Sequence, residues 1–233
     1  SDHREEAHKA DPDNKLLAVF PRQRLEAEQV RDSLLAASGK LEEKVGGPSV
    51  YPPLPKVIKT GEANFNGDPA WKTSKDEHDH NRRSLYVFTR RSLPYPILDS
   101  FNMASPQDAH SKREVTTTPL QALTLFNSEV VFDWSKSLAG RVINEAGDDE
   151  SDQLDRLYEI LFAREPESSE KDALQAFLDE QEKVIREKAS KGKFEVNVPI
   201  GVKDKPLTDP VRTAAFVDLV DSVVNSNEFI YRF

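Results

Sequence analysis

Residues 123–146 read LTLFNSEVVFDWSKSLAGRVINEA. Leu123, Phe126, Val130, Trp134, Leu138 and Val142 recur at spacings of three and four, the stripe of an amphipathic helix. Asn127 and Ser128 fall inside that stripe. Both are good N-cap residues, because their side-chain oxygens accept backbone N–H groups that a helix start leaves unpartnered. The expectation is two helices divided at this point, the second capped by Asn127 or Ser128.

Toward the C-terminus the same period continues. Gly147 and the acidic run DDESD at 148–152 predict a turn followed by a helix start, where the dipole favours acids. Leu154, Leu157, Tyr158, Leu161 and Phe162 form the next stripe. Pro166 interrupts it, and Ser168 or Ser169 is expected to cap a long helix to about Ala189, with Leu174, Phe177, Leu178, Val184 and Ile185 inward. Residues 190–209 read as a polar loop. A last helix, from about Asp209 to Asn225, buries Val211, Ala215, Leu219, Val220 and Val223, and the aromatic tail EFIYRF at 228–233 is expected to dock on the core.

Toward the N-terminus, Asp11-Pro12 reads as a helix start with Leu16, Leu17 and Phe20 as its stripe. Pro21 breaks it, and a second helix to about Ala37 places Leu25, Val30, Leu34 and Leu35 near one face, with Gly39 as its stop. Residues 46–81 lose all periodicity. They read as an irregular excursion anchored by Tyr51, Phe65 and Trp71, with a mobile tip near residues 75–80. SLYVFT at 84–89 is the one strand-like run, with Val57-Ile58 or residues 195–198 as candidate partners. Ile97, Leu98 and Phe101 then suggest a helical turn. The fold class is therefore mainly α: about six helices around one core, a minor β element and a long Pro/Gly-rich loop, organised as one domain over residues 1–233.

The chain of 233 residues has a net charge of −9, no cysteine and no apolar run near the roughly 20 residues that span a bilayer. An acidic whole argues against non-specific nucleic-acid binding, which depends on neutralising phosphates. The absent cysteines exclude thiolate metal sites, cysteine nucleophiles and covalent haem attachment within the chain. Residues 81–113 are locally basic, six basic side chains against two acidic, and are expected to pair with the acidic C-terminal half.

Chemistry-bearing groups concentrate in residues 82–127, RRSLYVFTRRSLPYPILDSFNMASPQDAHSKREVTTTPLQALTLFN. Arg113, Thr116, Thr117, Gln121 and Asn127 surround an expected helix start at Thr118-Pro119. Backbone N–H groups at such a start, joined by Arg113 and by Arg83 of the upstream arginine pairs, would suit a carboxylate, sulfate or phosphate. The competing reading is internal: the threonines cap the helix, Arg113 pairs with an acid of the chain, and Gln121 and Asn127 tie down a loop. His78 and His80, with Asp76, Glu77 and Asp79, are candidate metal ligands, against a solvated loop as the plainer reading. No P-loop, nucleophile elbow or dinucleotide fingerprint is present.

Several ordered segments carry a family resemblance: DPDN at 11–14, RLEAEQVRDS at 24–33, SGKL at 38–41, GGPSV at 46–50, RSLY at 83–86, Arg113 with Thr116 and Thr117, PLQAL at 119–123, Asn127, and NSNEF at 225–229. They resemble the C-terminal domain of large secreted planctomycete proteins, a domain of unknown function often called PSD-one. The resemblance implies an extracytoplasmic setting and an upstream c-type cytochrome-like domain that would hold haem, while this chain needs no cofactor of its own. It implies no catalytic residues. It also implies that the chain starts partway into the family domain and is its C-terminal portion. The resulting expectation is a non-enzymatic interaction or scaffold domain, partnered by other domains of the same polypeptide. The alternatives are an acidic or sulfated glycan-binding module, or part of a hydrolytic or redox enzyme completed by N-terminal regions.

Overall fold

The computed structural model describes residues 3–16, 23–56, 58, 71–105, 111, 113, 116, 118–192, 196–203 and 209–232. The fold is mainly helical. In chain order come α1 (His3–Ala10), β1 (Gln23–Arg24), α2 (Ala27–Ala37), α3 (Glu77–His80), α4 (Pro96–Ser100), α5 (Pro119–Phe126), α6 (Glu129–Ala146), α7 (Glu150–Phe162), α8 (Ser168–Ser190), α9 (Pro210–Val224), α10 (Asn227–Ile230) and β2 (Tyr231–Arg232).

The helix starts follow side-chain chemistry. Ser128 accepts from Val131 N–H at the head of α6, Asp149 from Ser151 and Asp152 at α7, and Asp209 from Val211 and Arg212 at α9. The acidic run at 148–152 is thus a cap and first turn, as its composition suggested. Glu167, rather than Ser168 or Ser169, caps α8, and it does so in a reciprocal box with Glu170. Gly39 closes α2 with φ +69°, a left-handed conformation that glycine adopts without strain.

α9 is the centre of the C-terminal half. Ala214, Ala215, Phe216, Val217, Leu219, Val220, Val223 and Val224 are all buried, so nearly its whole circumference is covered. α6 and α8 pack along it, and α7 packs on α6. Arg212 binds this group from outside, reaching Glu150 of α7 and Asp179 and Glu182 of α8. The tail docks as expected: Phe229 and Ile230 are buried, and β2 pairs antiparallel with β1, Gln23 opposite Arg232. That ladder joins two segments more than 200 residues apart in sequence.

Two buried arginines organise the irregular N-terminal half. Arg31, on α2, is fully buried and donates to the carbonyls of Arg82 and His80 and to Ser84 Oγ. Arg82 is 1 % exposed and donates to the carbonyls of Lys44, Gly46 and Pro48, with its guanidinium lying 3.8 Å over the Tyr86 ring. Trp71 is buried against Tyr51 and Tyr95, and its indole N–H donates to Pro52 O at 2.8 Å. Tyr51 and Trp71 are therefore anchors of the loop, while Phe65 lies outside the described residues.

Several expectations are corrected. Residues 84–86 form a 3₁₀ turn rather than a strand, because Ser84 is pulled onto Asp32 and the turn closes under Arg31. Val87 then makes a single bridge to Val50, and among the described residues the strand pair is β1 with β2. Asp11 follows a helix instead of starting one, and Leu16 is 82 % exposed; Leu17 and Phe20 lie outside the described residues. Residues 77–80 are a helical turn capped by Asp76, and the His80 carbonyl is held by Arg31, so the expected mobile tip is an ordered element. Leu123 and Phe126 belong to α5 and face outward, because α6 leaves in a new direction after the Asn127-Ser128 break.

Residues 196–203 cross α6 as a strap. Ile200 N–H donates to Lys136 O at 3.0 Å, Asn144 Nδ2 donates to Gly201 O at 2.9 Å, and Lys203 N–H donates to Asn144 Oδ1 at 2.9 Å. Gly140 permits the crossing: a Cβ there would lie 2.0 Å from Ile200 O. Gly140→Ala is therefore expected to lift the strap or shift α6, destabilising the protein by about 2–3 kcal/mol despite alanine's better helix propensity. Chemical denaturation measures the loss, and hydrogen exchange at Ile200 and Lys203 locates it.

Candidate functional site

The polar groups singled out in residues 82–127 do converge, but around a side chain that periodicity did not mark. Arg24, in β1, reaches across to the turn after α4 and to the start of α5. Its Nη1 donates to Gln121 Oε1 at 2.6 Å and to the Thr116 carbonyl, and its Nη2 donates to Asn102 Oδ1 at 2.7 Å and Phe101 O at 3.3 Å. Asn102 Oδ1 is the focus. Besides Arg24 it accepts from Thr116 Oγ1 at 3.0 Å and from Gln121 Nε2 at 3.1 Å. This is a donor cage of the kind an anion would occupy, filled by the protein's own amide oxygen. Asn102 enters it from a left-handed backbone conformation, φ 62°, which asparagine tolerates better than most residues. Burial lowers the Arg24 pKa, and its bonded partners here are neutral oxygens.

Each expected site residue among the described residues has a structural partner. Arg113 makes a two-pronged contact with Glu28 of α2, at 2.5 and 3.1 Å, and lies 3.4 Å from Glu26. Burial works to raise the Glu28 pKa, yet the hydrogen bonds from Arg113 and the backbone hold it below the ordinary glutamate value. Gln121 forms a capping box with Thr118, the residue that caps α5. Thr116 serves Asn102, and Thr117 lies outside the described residues. Asn127 Nδ2 closes the end of α5 on Leu123 O at 2.9 Å. Arg83 approaches Asp32 at 3.8 Å. Of the basic middle, Arg83 and Arg113 thus pair with acids of α2 and its approach, whereas the expected partner was the acidic C-terminal half.

The candidate metal ligands do not converge. His78 is largely exposed and sits 3.5 Å from Glu42, while His80 Nε2 contacts Ser74 O at 2.8 Å. Among the described residues no group of three or more metal-ligating side chains comes together.

A larger cleft, about 850 Å³, opens between α2 and the end of α7, closed at one side by α10 and β2. Its floor is Leu25, Ala36, Ala37, Ile160 and Phe229. Its rim arginines are committed: Arg141 bonds Glu145 and the α2 carbonyls of Ala36 and Ala37, and Arg156 bonds Glu145 and Glu159. This alternation of charges pairs both rim arginines with acids.

The family described as PSD1, protein of unknown function (DUF1553), matches residues 1–178. The chain belongs to that family. No curated protein and no solved structure gives a match. The family match stops within α8, yet the unmatched α9 and tail lie in the same apolar cluster as α2 and α6. In this PSD1 member the segments that carry the resemblance are largely those that meet the buried arginines. RLEAEQVRDS supplies Arg24, Glu28, Arg31 and Asp32, GGPSV supplies carbonyls for Arg82, and PLQAL supplies Gln121. They read as the fold's internal ties.

Asn102→Asp tests the cage. A carboxylate would meet the Arg24 guanidinium with a charge-assisted bond, so the variant is expected to gain about 1 kcal/mol, and the gain should vanish in an Arg24→Met background. Thermal unfolding of the four proteins in this cycle gives the coupling directly.

Proposed function

We propose that this domain is a non-enzymatic interaction module of an extracytoplasmic protein associated with a c-type cytochrome, and that it docks against other domains of its own polypeptide. The planctomycete setting, the cytochrome neighbour and the location rest on the family resemblance. The observation that supports a docking role is the outer face of α5. Leu120, Leu123 and Phe126 are 66 %, 55 % and 50 % exposed, spaced three residues apart on one helix of eight residues. Large apolar side chains grouped in this way favour a covering partner, because burying them removes apolar area from water. An apolar hollow of about 280 Å³, lined by Pro55, Tyr95, Pro96, Ile97 and Val130, adjoins Thr124 and Asn127 at the end of the same helix. A side chain from a docked domain would fit it.

Against Arg113 as the anion-binding group of a glycan module stands its two-pronged bond to Glu28. An enzyme completed by other segments remains the second class of reading, and turnover in a longer polypeptide that a point change in this chain abolishes would favour it over docking.

Hydrogen exchange separates the readings. In a polypeptide carrying the upstream domains, the α5 amides are expected to exchange at least tenfold more slowly than in this chain alone. Leu123→Asp with Phe126→Ser should remove that protection while leaving the helical circular dichroism unchanged, because both side chains are half exposed before docking. Equal α5 exchange in the two contexts would contradict the proposal.

A further inference from the structure

Two carboxylates face inward from α9 at the contact with α6 and α8. Asp221 is 7 % exposed and accepts from Ser135 Oγ of α6 at 2.8 Å. Asp218, one turn earlier, accepts from Gln181 Nε2 of α8 at 2.7 Å. The bonded donors are thus a hydroxyl and an amide rather than cations. One turn beyond Asp221, Asn225 directs its Nδ2 to the Asp221 carbonyl at 2.6 Å, and its Oδ1 is buried with no donor. The site therefore combines two desolvated negative groups with an acceptor that lacks a proton to accept.

We propose that the α6–α8–α9 contact is a proton-operated latch: one proton, taken up by the Asp218–Asp221 pair on mild acidification, fastens α9 to its two neighbours, and its release on return toward neutral pH loosens them. A proton removes the repulsion between carboxylates three residues apart on one helix. It also turns an acceptor-only carboxylate into a donor in a region holding the unpaired Asn225 oxygen.

The electrostatics agree in direction. Burial, with a smaller contribution from Asp218, raises the Asp221 pKa from 3.8 to about 6, and burial raises Asp218 as well. The groups acting on the pair are Ser135 from α6, Gln181 and Lys188 from α8, and the two carboxylates themselves; Lys188 lowers Asp218 by a lesser amount than burial raises it. A raised folded-state carboxyl pKa means that the folded protein binds the proton more tightly than the unfolded chain. Stability from this pair is therefore complete below about pH 4 and lost as pH rises through about 6. Glu28, Glu145, Glu170 and Asp209 have lowered pKa values and act oppositely, losing stability in stronger acid, so the latch has a window from about 4 to 6.

Native-state hydrogen exchange on the whole chain at pH 5.5 and 7.5, corrected for intrinsic exchange chemistry, tests the latch. The α8 and α9 amides are expected to be about fourfold better protected at pH 5.5. Asp221→Asn, neutral and of the same shape, should show the acid-level protection at both pH values. Asp218→Asn, which keeps the Asp221–Ser135 bond, should shrink the step without abolishing it. No step in the unaltered protein, or an undiminished step in Asp221→Asn, overturns the proposal.

Discussion

The N-terminal half depends on guanidinium groups bonded to backbone carbonyls. Arg31 takes the carbonyls of His80 and Arg82, and Arg82 takes those of Lys44, Gly46 and Pro48. Most of these carbonyls lie in irregular backbone, where no helix or ladder supplies donors, and a buried carbonyl without a donor costs about 1–3 kcal/mol. Two side chains thus meet a requirement that secondary structure would otherwise meet. The arrangement is not fully satisfied: Nε of Arg24, Arg31 and Arg82 is buried without an acceptor in each case. Its value lies in fixing one loop conformation, because few alternative paths of the chain could place several carbonyls around one planar cation.

The consequences spread outward from these cations. With Arg31 in place, α2 is held to α3 and to the 3₁₀ turn, and Trp134 of α6 lies over the same guanidinium at 5.8 Å, which brings the irregular half onto the helical half. Arg24 repeats the device at the other end of α2. It joins β1, the Asn102 turn and α5, and so sets how α5 presents its apolar face. The polar cluster at the start of α5 therefore acts as an internal tie, with the Asn102 amide oxygen at its focus.

The helical half was legible from its period because its burial is local and repetitive. Leu154, Leu157 and Tyr158, or Leu219, Val220 and Val223, follow one face of a helix whatever lies opposite. The divide at Ser128 was legible from cap chemistry. The β element was misread because SLYVFT has strand composition, yet Ser84 is claimed by Asp32 and the turn by Arg31, contacts more than 50 residues away in sequence. Arg24 is bonded to residues 77 to 97 positions distant, which no local pattern encodes. Arg31 did leave a trace. It falls among Ala27, Val30, Leu34 and Leu35 on the buried side of α2, and a charge inside an apolar stripe signals a buried cation with partners elsewhere. The capping role of Gln121 was visible in its spacing from Thr118, three residues, while its second role as an acceptor for Arg24 was not.

Buried arginine, not apolar packing, holds the irregular half in shape. Residue-resolved hydrogen exchange of Arg82→Met, an apolar side chain of similar length, tests it most directly. Gly46, Val50 and Phe88 are expected to lose most of their protection while α6 to α9 keep theirs. Unchanged protection in the loop, or an equal loss throughout the helical core, would contradict it.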